Sequence, residues 1–110
     1  MKTLKFVTHL ADMIVAGEKT TTWRFFDEKE ILEGDDFVFV NKETGKEFAH
    51  AVISEVKEKR FADIDDDDRL GHEKFKDKEE MQETYKRYYG DRINDDTLVK
   101  VIKFKVTKLI

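Results

Sequence analysis

Lys19, Thr20, Thr21, Thr22 and Arg24 stand together just after Gly17, and this stretch concentrates the side chains in the chain that could do chemistry. Hydroxyls, an ammonium and a guanidinium supply hydrogen-bond donors and positive charge, which suit an anionic or carbonyl-bearing ligand. A threonine hydroxyl is a poor nucleophile until a base takes its proton, and a lysine with an ordinary pKa of about 10.4 is charged and cannot be that base. Lys19 could activate Thr22 only if burial or the nearby charge of Arg24 disfavoured its ammonium form. Two plainer readings stay open. Threonine is a good strand residue in its own right, and a lysine beside a glycine turn commonly contacts phosphate, which would make the same patch an RNA site.

Strand geometry must position these groups. Every second side chain of an extended segment shares a face, so Thr20, Thr22 and Arg24 point one way, while Thr21, Trp23 and Phe25 point to a core. Before this strand, residues 2 to 7 alternate as a first strand. Thr8 is placed to cap a helix whose Leu10, Met13 and Ile14 recur at helical spacing until Gly17 closes it. Gly34-Asp35 introduces Phe37-Val38-Phe39-Val40, apolar on both faces and so a central strand. A hairpin at 41 to 46 returns the chain through residues 47 to 57, pairing antiparallel.

The second half opens with an acidic run at 63 to 68, which should repel itself and stay solvated. A calcium loop read from Asp66 puts Asp68 and Gly71 at useful offsets but Leu70 and Lys74 at ligand positions, so no metal is expected. His72-Glu73 lacks the second histidine a zinc peptidase needs, and His9 and His72 read as surface or capping residues. No cofactor is called for. Asp77-Lys78-Glu79-Glu80 has the form of a reciprocally capped helix start. Met81, Tyr85, Tyr88 and Tyr89 follow at helical spacing to Gly90, with Glu83 and Arg87 able to pair outside. The tyrosines are expected to pack the helix, a free ring for base stacking being the alternative. Residues 97 to 110 form a long last strand with Leu98, Ile102, Phe104, Val106 and Ile110 inward.

This order predicts an α+β fold: one domain over 1-110, a small mixed β-barrel of five to six strands with two main helices. First and last strands should lie together and close its edge. The 110 residues carry no cysteine, which removes disulfides and thiolate metal sites. No apolar run approaches the roughly 20 residues that cross a bilayer, so a soluble, cytoplasmic protein without membrane contact is expected. With 21 basic against 25 acidic residues the formal charge is −4, which argues against tight nonspecific binding to duplex DNA.

The run Met13-Ile14-Val15-Ala16-Gly17-Glu18-Lys19-Thr20-Thr21-Thr22-Trp23-Arg24 resembles the early glycine, lysine, threonine and arginine motif of the ASCH family, a branch of the PUA-like barrels associated with RNA and modified nucleosides. Gly34-Asp35, Gly71-His72-Glu73, Tyr88-Tyr89-Gly90 and Val101-Ile102-Lys103-Phe104 extend the likeness over nearly the whole chain. The resemblance implies a PUA-like barrel and RNA or a modified nucleoside as partner. Some family members are small amidohydrolases that remove the acetyl group from N4-acetylcytidine with a lysine, a threonine and a glutamate. By that likeness Lys19 matches the catalytic lysine, Thr22 the nucleophile and Glu73 the acidic partner. Gly17, Thr20 and Arg24 would serve ligand binding. Other family members are known only as RNA-binding modules, so a non-catalytic role is the alternative.

Overall fold

Phe37, Val38 and Phe39 are all buried, so the strand that carries them needs cover on both faces and partners on both edges. The computed structural model, which describes residues 2–26 and 29–110, supplies both. Its elements are β1 (Lys2–Phe6), α1 (Thr8–Val15), β2 (Thr21–Phe25), β3 (Asp36–Asn41), β4 (Glu47–Arg60), α2 (Asp66–Arg69), α3 (Lys78–Tyr89) and β5 (Leu98–Leu109). One mixed sheet runs in the order β1-β3-β4-β5-β2. The β1–β3 pair is parallel and the other pairs are antiparallel. The result is a half-barrel with α1 and α3 as the main helices, the α+β architecture that the sequence predicts.

Closure differs from the expectation. β5 pairs with β4 along one edge and β2 along the other, so it has no edge left for β1. The sheet's free edges are therefore β1 and β2. A side chain links them: the Arg24 guanidinium on β2 donates to the Lys5 carbonyl on β1 at 2.8 Å and lies 4.6 Å from the Phe6 ring centroid. A cation over an aromatic face can hold such a gap without ladder hydrogen bonds.

Two apolar clusters divide the sheet. Phe37, Phe39, Ile102 and Phe104 share one with Leu4, Phe6 and the α1 residues Ala11 and Ile14. Trp23, Phe25, Val99 and Val101 share the other with Met81 and Tyr85 of α3. This corrects the reading of β5. Val99 and Val101 are buried under the α3 side, whereas Ile102 and Phe104 are buried on the opposite face, and Leu98 and Ile110 at the ends are exposed. A long strand covered by different layers along its length breaks simple alternation.

Three local readings also change. The N-cap of α1 is Val7, and Glu43 reaches across from the hairpin to accept the Thr8 amide at 2.9 Å, so a remote carboxylate does the work expected of the Thr8 hydroxyl. Asp77 caps α3 by accepting from the Glu80 amide, but Glu80 returns its bond to the Lys76 amide rather than to Asp77. Arg87 donates to Thr84 and forms no ion pair with Glu83 among the described residues.

The acidic run is the largest departure. Asp63, Asp65, Asp66 and Asp67 stay exposed as expected, but Asp65 and Asp68 form a capping box at the start of α2, and Asp68 is fully buried. Lys59 donates to Asp68 at 2.5 Å, while Lys57 and Lys103 reach Asp67 at 3.0 and 3.1 Å. Lysines on β4 and β5 thus neutralise the run and pin it to the sheet. The oxygens of Asp65, Asp67 and Asp68 lie within 4.8 Å of one another, but lysine ammoniums occupy the positions a cation would take. Removing Asp68 costs a cap and leaves Lys59 without its closest carboxylate. Asp68→Ala is therefore expected to lower unfolding free energy by roughly 2–4 kcal/mol, and the exposed Asp66→Ala to change it by about 0.5 kcal/mol or less. Urea denaturation of both variants checks this contrast, and equal effects would contradict it.

Candidate functional site

A glycine turn sends Lys19 inward. Gly17 has φ +80° and closes α1 with its amide on the Ile14 carbonyl at 3.1 Å, while the Glu18 amide reaches the Met13 carbonyl at 2.9 Å. This is the Schellman arrangement that a glycine after a helix provides. The chain then reverses, and Lys19, only 1% exposed, enters the protein. Charged side chains are almost never that deeply buried without a partner.

The partner comes from the loop after α2. The amides of Thr20 and Thr21 both donate to the Gly71 carbonyl, at 2.7 and 3.0 Å, and the Thr21 hydroxyl donates to the Leu70 carbonyl at 2.6 Å. Gly71 has φ +75°, and a Cβ there would lie 2.0 Å from the Thr20 hydroxyl oxygen, so this approach requires glycine. Docking the loop delivers Glu73. The Lys19 Nζ donates to Glu73 Oε2 at 2.8 Å and to the Thr21 carbonyl at 2.7 Å.

His72 completes the cluster. Its Nε2 lies 2.9 Å from Glu73 Oε1 and 2.9 Å from the Tyr85 hydroxyl, and its Nδ1 lies 2.9 Å from the Glu73 backbone carbonyl. The ring stacks on Trp23, centroids 3.8 Å apart, and Trp23 is fixed in turn by an indole N–H bond to the Asp68 carbonyl at 3.1 Å. The expectation of a surface or capping histidine is thus overturned, because the loop packs its side chain between β2 and α3.

Burial pulls the Lys19 pKa below its ordinary value, against the attraction of Glu73, and the charge of Arg24 adds to the lowering. Burial alone would raise Glu73, but hydrogen bonds and charge from His72 and Lys19 outweigh it and hold the carboxyl at about 2. Burial also pushes His72 down, with Glu73 opposing and Lys19 reinforcing. Tyr85 is pushed up, first by burial and then by Glu73, so it keeps its proton.

A cavity of about 230 Å³ lies where the two sheet edges approach, and Thr22, Trp23, Arg24, Glu73, Tyr85 and Phe6 line it. Among the predicted residues, Thr22, Arg24 and Glu73 meet there. Lys19 reaches it through Glu73 and sits against the Thr21 carbonyl, one peptide unit from Thr22. Its amine makes no hydrogen bond with the Thr22 hydroxyl among the described residues. Gly17 and Thr20 do not line the cavity and shape the turns that bring Lys19 and Glu73 together. A wider concavity of about 480 Å³ beside it shares Arg24 but none of the Lys19, Thr22 and Glu73 set. Sequence reasoning missed His72 and Tyr85 as members of the cluster. Their one signal was the His72-Glu73 adjacency, since nothing local reveals that Tyr85 on α3 faces that loop.

No family model and no curated protein matches the chain. Solved structures do. An ASCH domain from Lactobacillus crispatus superposes with a TM-score of 0.75 at 19% identity, covering 96% of this chain and 79% of that one. A protein from Enterococcus faecalis gives 0.80 at 16% identity, covering 99% and 77%. The ASCH protein of Zymomonas mobilis gives 0.71 at 12% identity, covering 98% and 68%. The chain has the ASCH-domain fold.

Glu73 contributes its electrostatic stabilisation fully above its ordinary value of 4.5, and the contribution is lost as pH falls through about 2. The sign is that of a carboxylate depressed in the folded state. In thermal melts from about pH 6 to about pH 2, wild type should therefore lose melting temperature more steeply below pH 4.5 than Glu73→Gln. Parallel curves would show that the carboxylate is not held by its cations.

Proposed function

We propose that this chain hydrolyses the acyl amide of a modified nucleoside, with N4-acetylcytidine as the test substrate. The observation that carries the reading is the full burial of Lys19 against Glu73, a carboxylate that lines one cavity with Thr22. A phosphate-binding lysine needs exposure, whereas a base needs the depressed pKa that burial supplies. The cavity is of a size to admit one nucleobase, and its aromatic walls suit a planar ring.

In this reading Lys19, as the neutral amine, takes the Thr22 hydroxyl proton while Oγ1 bonds to the acetyl carbonyl carbon. The carbonyl π pair moves to oxygen. Its return expels the nucleoside amine, which takes up the proton, and an acetyl-threonine remains. Water then repeats the sequence: Lys19 accepts its proton, hydroxide adds to the ester carbonyl, and Thr22 leaves with that proton restored. Glu73 stays ionised at neutral pH and acts by holding the amine and relaying its proton rather than by starting as an acid. The amides of Gly17, Glu18 and Lys19 already serve the end of α1, so the Arg24 guanidinium, which lines the cavity beside Thr22, is the group assigned to a developing oxyanion.

RNA binding without catalysis is the second reading, favoured by Lys5, Lys42 and the 64% exposed Tyr88 at the cavity rim. Phosphate contacts there would weaken steeply with salt, unlike a neutral nucleoside pocket. Incubation with N4-acetylcytidine should release cytidine and acetate. Thr22→Ala and Lys19→Ala should each lower turnover at least ~100-fold, and the double variant little further, because the two act as one unit. An inert wild type, or a fully active Thr22→Ala, would overturn the amidohydrolase reading.

A further inference from the structure

The cavity that holds Thr22 carries an excess of positive charge, although the chain as a whole has a formal charge of −4. Its charged walls are Lys5, Arg24, Lys42 and Glu73, and that carboxylate is already paired with Lys19 at 2.8 Å. The neighbouring concavities lack this excess. In one, Arg24 and Lys100 meet Glu58 and Asp96; in the other, Lys74 and Arg87 meet Glu80 and Glu83 as well as Glu73. Arg24 is engaged at the gap between the sheet edges, with the Lys5 carbonyl and the Phe6 ring. Lys5 and Lys42 are exposed, and neither ammonium makes a hydrogen bond or ion pair among the described residues. The fold brings these two lysines to one place: β1 runs parallel to β3 with Phe6 opposite Asn41, and the Lys42 amide donates to the Phe6 carbonyl at 2.7 Å. The adjacent acid, Glu43, is taken up by the Thr8 amide.

We propose that Lys5 and Lys42 form a phosphate subsite at the mouth of the cavity, and that its ligand is a pyrimidine nucleoside monophosphate rather than a free nucleoside or a polynucleotide. A space of about 230 Å³ is filled by one base, so the sugar and whatever it carries lie at the rim, where the two lysines stand. Exposed ammoniums suit a phosphate as point charges, and a phosphate monoester brings up to two negative charges to them. A polynucleotide needs cations beyond this one spot. On the α3 side the next concavity presents Glu80 and Glu83, which oppose a continuing phosphodiester chain, and the net negative charge of the protein opposes it further. The identity of the base rests on the amidohydrolase reading, whereas the phosphate subsite rests on the charge of the cavity.

Calorimetric titration of the intact protein with cytidine, cytidine 5′-monophosphate, inorganic phosphate and a short cytidine oligoribonucleotide tests the subsite without any turnover. At low salt the monophosphate should bind at least about tenfold more tightly than cytidine, and the advantage should shrink as salt rises. In the Lys5→Ala/Lys42→Ala variant the ratio of the two affinities should fall to within about twofold of one. Equal affinities in wild type, binding of neither compound, or a ratio that the double substitution leaves intact would overturn the proposal. Inorganic phosphate binding as tightly as the monophosphate would also overturn it, by showing an anion patch that does not engage the cavity. An oligoribonucleotide at least about tenfold tighter than the monophosphate would replace it with the RNA-binding reading. Turnover separates this inference from the reading beneath it. N4-acetylcytidine 5′-monophosphate should show a KM at least about tenfold below that of N4-acetylcytidine, with kcat within about threefold, because the phosphate is held alike before and during the reaction. A protein inert toward both substrates that still prefers cytidine 5′-monophosphate to cytidine would refute the amidohydrolase reading and leave the phosphate subsite standing.

Discussion

The buried contact between Lys19 and Glu73 is the constraint on which the rest of the site depends. Taking an ammonium and a carboxylate out of water costs several kcal/mol per ion by general estimates, and their attraction repays this only with good geometry and further hydrogen bonds. Both conditions are met here by separate parts of the fold. The turn after α1 drives the lysine inward, the Thr21 carbonyl accepts from it, and Gly71 lets the second loop approach closely enough to present Glu73. A pair assembled at that cost is weak evidence for stability and better evidence for chemistry.

The half-barrel explains why the pair sits beside a cavity. β5 uses both its edges on β4 and β2, so the sheet cannot close through β1, and the gap is spanned by Arg24 over Phe6 instead of by ladder bonds. A closed ladder would leave no room between the edges. The side-chain bridge leaves a lined space with Thr22 on one wall and Glu73 on another. The same strand, β2, therefore contributes to the Trp23 and Phe25 cluster and to the cavity wall.

Much of this was legible in the sequence, and the reasons differ by residue. The central strand at Phe37 to Val40, the glycine end of α1, the capped start of α3 and the five strands follow from local pattern, because short-range geometry sets them. The burial of Asp68 was missed because it depends on how the chain folds back after β4, which brings the run against Lys57 and Lys59 at the end of that strand and against Lys103 on β5. His72 was misjudged for the same reason: its environment comes from Trp23 and Tyr85, and neither spacing nor residue type reports that approach. The expected adjacency of β1 and β5 failed because both edges of β5 are taken, by β4 and by β2, which local pattern does not report. Within the site, spacing drew attention to Lys19, Thr22 and Arg24, whereas the burial of Lys19 and its contact with Glu73 are tertiary facts.

The central claim is that burial lowers the Lys19 pKa and so eases loss of its proton, in contrast to an ordinary surface ammonium. Direct titration of the Lys19 side chain by ¹³C NMR in the intact protein measures this without reference to any substrate. The account predicts a midpoint below the ordinary 10.5, because burial outweighs the attraction of Glu73. A midpoint at or above 10.5 would contradict it and reduce the pair to a structural salt bridge.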